Sequence, residues 1–347
     1  MEKEDIRRYT PEELKNIVTA FGESKFRAKQ IHEWIWKKGI LSFDEMTNLS
    51  KNLRENLKNS YTFHTMKVSH IQNSTDGTIK TGWKLFDGSV IESVIIPLQD
   101  ENRYTLCVSS QVGCSLNCTF CATGKLKLRR NLTDYEIVEQ FIEGNKKSNE
   151  VFGHNLTNVV YMGMGEPLLN YENVTKSIEK LTSPDGFGYS TRRITISTSG
   201  IIKGIERMIE DDIKVNLALS LHAADDEKRT KIMAINKSNP LEELVDILTK
   251  YYDQSKMKMS FEYIMFKDYN DSLHDAKNLV KLTRRFPVKV NIIEYNYVEG
   301  VEYSKSSEDK INNFAKFLVE NGVVTTVRRS RGKDIDAACG QLANKVK

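Results

Sequence analysis

Cys114, Cys118 and Cys121 stand in a C-x3-C-x2-C triplet within Gly113-Cys114-Ser115-Leu116-Asn117-Cys118-Thr119-Phe120-Cys121. Three thiolates hold three corners of a cubane [4Fe–4S] cluster and leave the fourth iron open, so the spacing reads as a cluster that binds a substrate. A structural zinc site is the alternative, but such sites are usually built from two ligand pairs, and no second C-x2-C or H-x3-H follows the triplet. Two further cysteines lie far apart, at Cys107 and Cys339. Cys339 sits between Ala338 and Gly340, where small neighbours leave a thiol sterically open. A buried cysteine acting as a small hydrophobe is the plainer reading of the same residue. Gly163-Met164-Gly165-Glu166-Pro167 pairs two glycines, which let backbone approach a ligand, with a carboxylate that accepts from an ammonium group. It is not G-x-G-x-x-G, so the dinucleotide-binding reading fails. Ser197-Thr198-Ser199-Gly200 and Ser220-Leu221-His222 add hydroxyl and imidazole groups, which alone are equally compatible with ordinary loop chemistry.

These groups need a scaffold that brings strand ends together. Short β-rich runs at 106–109, 158–161, 193–198, 215–220, 259–265, 288–295 and 323–328 alternate with segments of helical period, which predicts βα units in a parallel sheet. The polar groups fall just after strand ends, so the expected fold is α/β, a partial or complete barrel whose rim forms the site rather than an open doubly wound sheet. Ahead of it, 10–61 reads as helical, with Ile17, Phe21, Ile31, Trp34 and Ile35 at helix spacing and breaks at Gly22, Gly39 and Leu49-Ser50. Met66 to Leu98 alternates as strands around the turn Asp87-Gly88, a β-hairpin extension. The expected division is therefore a helical accessory domain at 1–62, a hairpin linker at 63–102 and the barrel with its Cys339 segment at 103–347.

At 347 residues and 39% hydrophobic content the chain can bury a large core. Five cysteines, three in one short run, are not a disulfide framework. No apolar run reaches bilayer length and Met1-Glu2-Lys3-Glu4-Asp5 does not read as a signal peptide, so a cytoplasmic setting without membrane contact is expected. The net charge of +4 permits nucleic-acid binding without requiring it. Basic groups do recur beside the motifs: Lys125, Lys127, Arg129 and Arg130 beyond the triplet, Arg192-Arg193 before a strand, and Arg328, Arg329, Arg331 and Lys333 ahead of Cys339.

Taken together, Glu92 before Pro97, Cys107-Val108-Ser109-Ser110-Gln111-Val112-Gly113-Cys114, Gly163–Pro167, Ser197–Gly200, Ser220-Leu221-His222-Ala223 and the Asp334–Leu342 segment closely resemble the RlmN family. These are radical S-adenosylmethionine (SAM) enzymes that methylate C2 of adenine in 23S rRNA and tRNA. The resemblance implies an α/β fold with a radical SAM partial (βα)6 barrel and a [4Fe–4S] cluster on Cys114, Cys118 and Cys121, with SAM held by Gly165, Glu166, Ser197, Ser220, Leu221, His222 and Asn296. It implies that one SAM methylates Cys339 and a second is cleaved at the cluster to generate a radical on that methyl group, which then adds to C2. Glu92 and Cys107 are the candidates for taking the C2 proton, and Cys107 resolves the protein–RNA adduct through a transient disulfide with Cys339. The family targets are the peptidyl-transferase-centre adenosine of 23S rRNA (family position 2503) and adenosine 37 of tRNAs. Flavodoxin is the family's usual electron donor, and a monomer is expected. The helical domain, with Arg27, Lys29, Lys37 and Lys38, is by the same resemblance an RNA surface. The similar Cfr family methylates C8 of the same rRNA adenosine. Pro167 and Arg331-Gly332 match the C2 enzymes, while both carbons need the same radical chemistry. A non-catalytic Fe–S or zinc RNA-binding protein is the reading from another class, and it leaves Cys107 and Cys339 without a use.

Overall fold

In the computed structural model, which describes residues 3–343, the chain opens with three short helices, α1 (Pro11–Ala20), α2 (Phe26–Trp36) and α3 (Lys51–Ser60). Met1 and Glu2 of the acidic start, and the outer ends of the first and last expected domains, lie outside the described residues. The helix boundaries follow local chemistry. Thr10 and Glu13 form a capping box with Pro11 at the first position of α1, and Ser50 caps α3 through the Leu53 amide at 3.1 Å. Gly22 and Gly39 take positive φ beyond α1 and α2, where a left-handed residue ends a helix at little cost. Leu14, Val18, Ile31, Ile35, Leu53 and Leu57 fill the space between the three helices, with Ile17, Phe21 and Trp34 packed at its edge.

A single ten-stranded sheet makes up the rest of the framework, and its strands lie in space in the order of the chain. The first three, β1 (Lys67–Asn73), β2 (Ile79–Lys84) and β3 (Val90–Leu98), form an antiparallel meander. The expected hairpin around Asp87-Gly88 is its second turn. β1 adds a strand through the Ser74–Thr78 turn, in which Gly77 takes a φ of 86°. β3 then pairs antiparallel with β4 (Arg103–Cys107), so the meander continues the barrel sheet. From β4 onward every pairing within this sheet is parallel: α4 (Asp134–Phe152), β5 (Asn158–Tyr161), α5 (Tyr171–Thr182), β6 (Ile194–Thr198), α6 (Ile202–Glu210), β7 (Asn216–Ser220), α7 (Asp226–Ile232), α8 (Leu241–Ser255), β8 (Met259–Met265), α9 (Leu273–Thr283), β9 (Lys289–Glu294), α10 (Glu308–Glu320) and β10 (Thr325–Arg328). Six strand–helix units and a closing strand thus match the expected partial barrel. Strand residues such as Leu217, Leu219, Phe261, Tyr263, Val290 and Ile292 are buried, as helices on the outer face of a parallel sheet require.

One charged knot ties the N-terminal helices to the barrel. Arg7, almost fully buried, donates to Asp5 Oδ2 at 2.7 Å and to Glu139 Oε2 on α4 at 2.6 Å, and its guanidinium lies 4.6 Å from the Tyr135 ring centre. Asp5 and Glu139 in turn accept from the His64 and Met66 amides, at 2.8 and 2.7 Å. Removing the cation would leave two buried carboxylates uncompensated. Arg7→Met should therefore cost about 3–5 kcal/mol, measured by urea unfolding. Limited proteolysis should cut the 3–62 region first, and a variant as stable as the parent would show that the knot contributes no net stability.

Candidate active site

The cysteine loop fills the gap between β4 and α4, and glycine lets it close on itself. A Cβ on Gly113 would lie 2.3 Å from the Lys127 carbonyl, and one on Gly124 would lie 2.9 Å from the Cys118 carbonyl. Asn117 takes a left-handed φ of 52°, and the Cys121 amide donates to the Cys118 carbonyl at 3.2 Å. The three side chains face one another closely enough that the charge on Cys121 and Cys114 raises Cys118, and Glu166 acts on both Cys114 and Cys118. Burial pushes all three thiols up, Cys114 to about 11. As a bare set they are neutral thiols, and only bound cationic metal would hold them as thiolates. Among the described residues no three His, Cys, Asp or Glu side chains form a cage for a single ion. Three thiols in one loop, with no second ligand pair in the sequence, fit a cluster with one open iron better than a closed zinc site.

Around this loop the parallel strands end in a rim. Gly163 and Gly165 follow β5, but the space that their missing side chains leave is filled from within the protein. A Cβ on Gly163 would meet the Val108 carbonyl at 2.6 Å, and one on Gly165 would meet Gln111 Cβ at 2.5 Å. These glycines let the turn after β5 lie against the chain after β4, which then presents Glu166. Gln111 Oε1 accepts from the Glu166 amide at 2.8 Å. The Glu166 carboxylate is buried, which raises its pKa, and accepts from the Leu168 and Ser199 amides at 3.1 and 2.7 Å, which oppose the shift. Ser197 and Ser220, ends of β6 and β7, meet hydroxyl to hydroxyl at 3.5 Å. Leu221 has a fully buried side chain, so only its backbone is available to a ligand. His222 is buried in a left-handed conformation with φ 56°. Its Nδ1 accepts from the Ile264 amide at 3.1 Å, its ring packs edge-on against Phe120 of the cysteine loop at 4.9 Å, and burial lowers its pKa to about 3. A neutral imidazole with the proton on Nε2 follows. Asn296, just past β9, donates to Ser330 Oγ at 2.9 Å.

The chain's last described residues cross this rim as a strap. Glu294 accepts from the Ser330 amide at 2.9 Å and pairs with Lys305 and Lys333. Asp76 accepts from the Gly332 amide at 2.9 Å, while Asp334 accepts from Ser74 Oγ at 2.6 Å and from the Thr75 amide at 3.1 Å. Lys80 Nζ donates to the Asp336 carbonyl at 3.3 Å. At the far end the Gly340 carbonyl accepts from the Ala122 amide at 2.7 Å, Leu342 from Thr123 Oγ1 at 2.6 Å, and the Ala343 amide donates to Glu92 Oε2 at 2.9 Å. The strap therefore runs from the first turn of the meander to the cysteine loop, with Cys339 between its anchors. Cys339 is accessible to solvent yet walled by protein, and its thiol is raised by burial, lowered by Arg328 and raised by Glu262 and Cys121. Cys107, the last residue of β4, is buried, and both that burial and the charge of Cys339 raise it strongly.

The site thus unites the cysteine triplet, Glu166, Cys107, Cys339 and Glu92, read from positions more than two hundred residues apart. Several groups around it went unread in the sequence: His70 and Lys80 beside Glu92, Arg229 beside Cys118, Glu262 on β8 and Glu294 at the end of β9. Glu262 and Glu294 had a signal, as acidic residues inside otherwise apolar strands. Of the basic residues read as phosphate contacts, Arg130 is held by Asp87 and Glu136, and Lys125 by the Glu299 and Gly300 carbonyls. Lys127 and Arg129 are exposed.

Comparison with known proteins agrees with this geometry. Residues 5–62 match the ribosomal RNA large subunit methyltransferase N-terminal domain, and residues 108–280 match the radical SAM superfamily. A Christiangramia forsetii protein named "Probable dual-specificity RNA methyltransferase RlmN" is 49% identical over 343 residues, 99% of this chain and 97% of that one. The dual-specificity RNA methyltransferase RlmN of Geotalea uraniireducens is 43% identical over 346 residues, 100% of this chain and 98% of that protein. Among solved structures, a radical SAM methyltransferase from Sphaerobacter thermophilus superposes with a TM-score of 0.92 at 37% identity, covering 99% of this chain and 100% of that one.

The strap yields a test of its own. Asp334→Ala removes two anchoring hydrogen bonds, worth roughly 1–2 kcal/mol together at this exposed position. Amide hydrogen exchange across 332–343 should quicken by about tenfold while exchange in α4 and β5–β8 stays as it was. Unchanged exchange in the strap would show that its other anchors suffice.

Proposed function

The chain belongs to the RlmN family of dual-specificity RNA methyltransferases within the radical SAM superfamily, and from that membership we propose that it converts adenosine to 2-methyladenosine in 23S rRNA and in tRNA. On this reading the targets are the peptidyl-transferase-centre adenosine of 23S rRNA and adenosine 37 of tRNAs, in the cytoplasm. The enzyme works as a monomer, supplied with electrons by a flavodoxin-type donor. Residues 1–62 form an RNA-contacting accessory domain, 63–102 the meander that seats the strap, and 103–347 the catalytic barrel. No helix among the described residues is long and apolar enough to cross a membrane.

Cys114, Cys118 and Cys121 would hold a [4Fe–4S] cluster, with Glu166, the Ser197–Ser220 pair, the Leu221 backbone, His222 and Asn296 around the SAM bound at its open iron. When bound, the cluster supplies the electron that cleaves one of the two SAM molecules used per turnover and so furnishes a hydrogen-abstracting radical. The protein's own groups carry the rest. Cys339, accessible in the rim, loses its thiol proton and takes a methyl group on Sγ from the other SAM. Once that methyl has lost a hydrogen atom, its carbon bonds to C2 of the adenine. Glu92 then removes the C2 proton. Cys107 is the poorer acceptor, because burial keeps its thiol protonated at neutral pH. Cys107 gives up its thiol proton, and its Sγ bonds to Cys339 Sγ as the bond from Cys339 Sγ to the methylene carbon breaks. The released electron pair and one proton complete the new methyl group, and the unpaired electron of the adduct leaves to the oxidised form of the one-electron donor. The resulting disulfide is restored by a dithiol reductant.

The observation that carries this reading is the coupling of thiols from three parts of the chain. Cys339 feels Cys121 of the triplet, and Cys107 feels Cys339. A binding module has no use for such an arrangement. Cys107→Ala should accumulate protein covalently joined to RNA, because nothing remains to attack Cys339 Sγ, while Cys339→Ala should show neither adduct nor methylated peptide. Denaturing gels with labelled RNA and peptide mass spectrometry read both outcomes. The double variant should behave as Cys339→Ala does. Adducts that persist without Cys339 would reverse the roles, and nucleosides from the reaction that contain 8-methyladenosine would move the target to C8.

A further inference from the structure

His70 is the least explained side chain near the site. It lies on β1, the edge strand, and its register partner on β2 is Gly82, whose own partner on β3 is Glu92. The three therefore form one row across the sheet on a common face. Gly82 has no positive φ to account for it, and a glycine inside a strand weakens the strand. The space it leaves is taken by the imidazole of His70: a Cβ at position 82 would lie 2.1 Å from Cε1 and 2.4 Å from Nδ1. The missing side chain is what lets the imidazole reach across β2 towards Glu92, leaving Nε2 3.6 Å from Glu92 Oε1. The His70 side chain is nine-tenths buried, and neither ring nitrogen has a hydrogen-bond partner among the described residues. An unsatisfied buried imidazole is costly unless it is used. Lys80, two residues from Gly82 and on the same face, brings Nζ within 3.5 Å of the same carboxylate oxygen while donating to the Asp336 carbonyl. Glu92 therefore already has a fixed cation, and its carboxylate is fully buried. A proton that arrives there must leave through a group that touches the carboxylate, and His70 is one of them.

We propose that His70 is the proton exit of Glu92, reached across the gap left by Gly82. This rests on the reading of Glu92 as the acceptor of the C2 proton. The C2–H bond breaks with its electron pair left on the base, and an O–H bond forms on Glu92. That O–H bond then breaks as an N–H bond forms on Nε2 of the neutral imidazole. Nδ1 is itself buried in the resting structure, so the imidazolium releases that proton to water only when the edge strand moves outward, and both groups then return to their starting charge. Lys80 does not exchange a proton. Its ammonium stays paired with the carboxylate at 3.5 Å. The 3.6 Å separation is longer than a hydrogen bond, as resting-state catalytic contacts often are.

The test compares His70→Gln, His70→Gly, Gly82→Ala and Glu92→Gln in the reconstituted full-length enzyme, with a 23S rRNA fragment as substrate. Three quantities are read: methylation of Cys339, 5′-deoxyadenosine formed, and 2-methyladenosine formed. The first two precede proton removal, so they report an intact fold, cluster and SAM site. His70→Gln should keep both, slow 2-methyladenosine formation by about tenfold or more, and raise the steady-state level of protein–RNA adduct. Gly82→Ala, which displaces the imidazole, should do the same. Added imidazole should restore product formation in His70→Gly, a rescue that a merely structural role would not give. If His70→Gln makes product at the parent rate while Glu92→Gln stalls, the exit is wrong and the acceptor stands. Parent rates in both would remove Glu92 as acceptor and the exit with it. Loss of Cys339 methylation in His70→Gln, or no rescue by imidazole, would make His70 a structural residue and overturn the proposal.

Discussion

One guanidinium closes the rim on which everything else is mounted. Arg229 on α7 is wholly buried and donates to the Leu221 carbonyl at 3.1 Å, the Ser199 carbonyl at 2.7 Å, the Ser220 carbonyl at 3.1 Å and Asn236 Oδ1 at 2.6 Å. It thereby ties the ends of β6 and β7 to one helix, and only the planar fork of arginine offers that many donors in fixed directions. All four partners are neutral. Burial lowers its pKa to about 10, and the charge of Cys118 opposes that shift. A buried cation without a carboxylate in hydrogen-bond contact costs several kcal/mol, and the anionic charge that offsets it comes from Asp226 on the same helix and from Cys118 of the cysteine loop when that thiol is ionised. Fold and site thus complete one another electrically: the clasp holds the strand ends in place, and thiolates on a bound cluster help to balance the clasp.

The antiparallel meander has a purpose that sheet construction alone does not supply. A partial barrel of parallel strands needs no β1 or β2, yet their first turn anchors Gly332 and Asp334 through residues more than two hundred and fifty positions earlier. β2 and its neighbour β3 place Lys80 and Glu92 beneath the strap, at the Asp336 carbonyl and the Ala343 amide. An accessible cysteine on a segment without helix or strand would ordinarily sample many positions, since such segments are mobile unless tied down. Here hydrogen bonds at both ends reduce that freedom, so the entropy of positioning the thiol is lost on folding and not at each turnover.

Much of this was legible in the sequence, and the remainder failed for identifiable reasons. Helical period with Gly22, Gly39 and Ser50 as stops located the N-terminal helices, because caps and left-handed residues act locally. The alternation of β-rich runs with helical segments located the parallel strands, and so placed Ser197 beside Ser220 at neighbouring strand ends. Gly163 and Gly165 were visible as close-approach positions, but whether ligand or protein occupies the space is a tertiary fact, and it is Val108 and Gln111. The relation of His70 to Glu92 was not legible at all. It depends on the register of three strands, and a shift of one residue in either pairing would put the two side chains on opposite faces. The strap's anchors failed for the same reason: an Asp at 76 or 334 shows no local sign of its partner.

The two outer thiols are unequal in a way that orders their use. Cys339 is reachable from solvent, whereas Cys107 is buried and is held protonated both by that burial and by the charge of Cys339. Two thiols so coupled do not ionise together, since the first charge opposes the second. On the proposed roles, a methyl group on Cys339 turns its sulfur into a neutral thioether and removes that opposition. The burial that raises Cys107 most stays in place after that, so Cys107 remains the less reactive thiol until the adduct is formed beside it. Were both thiols exposed and equally acidic, a disulfide could form before the methyl group arrived and remove the acceptor sulfur. Burial of Cys107 at the end of β4 guards against that premature oxidation, and it does so through the same strand that begins the barrel.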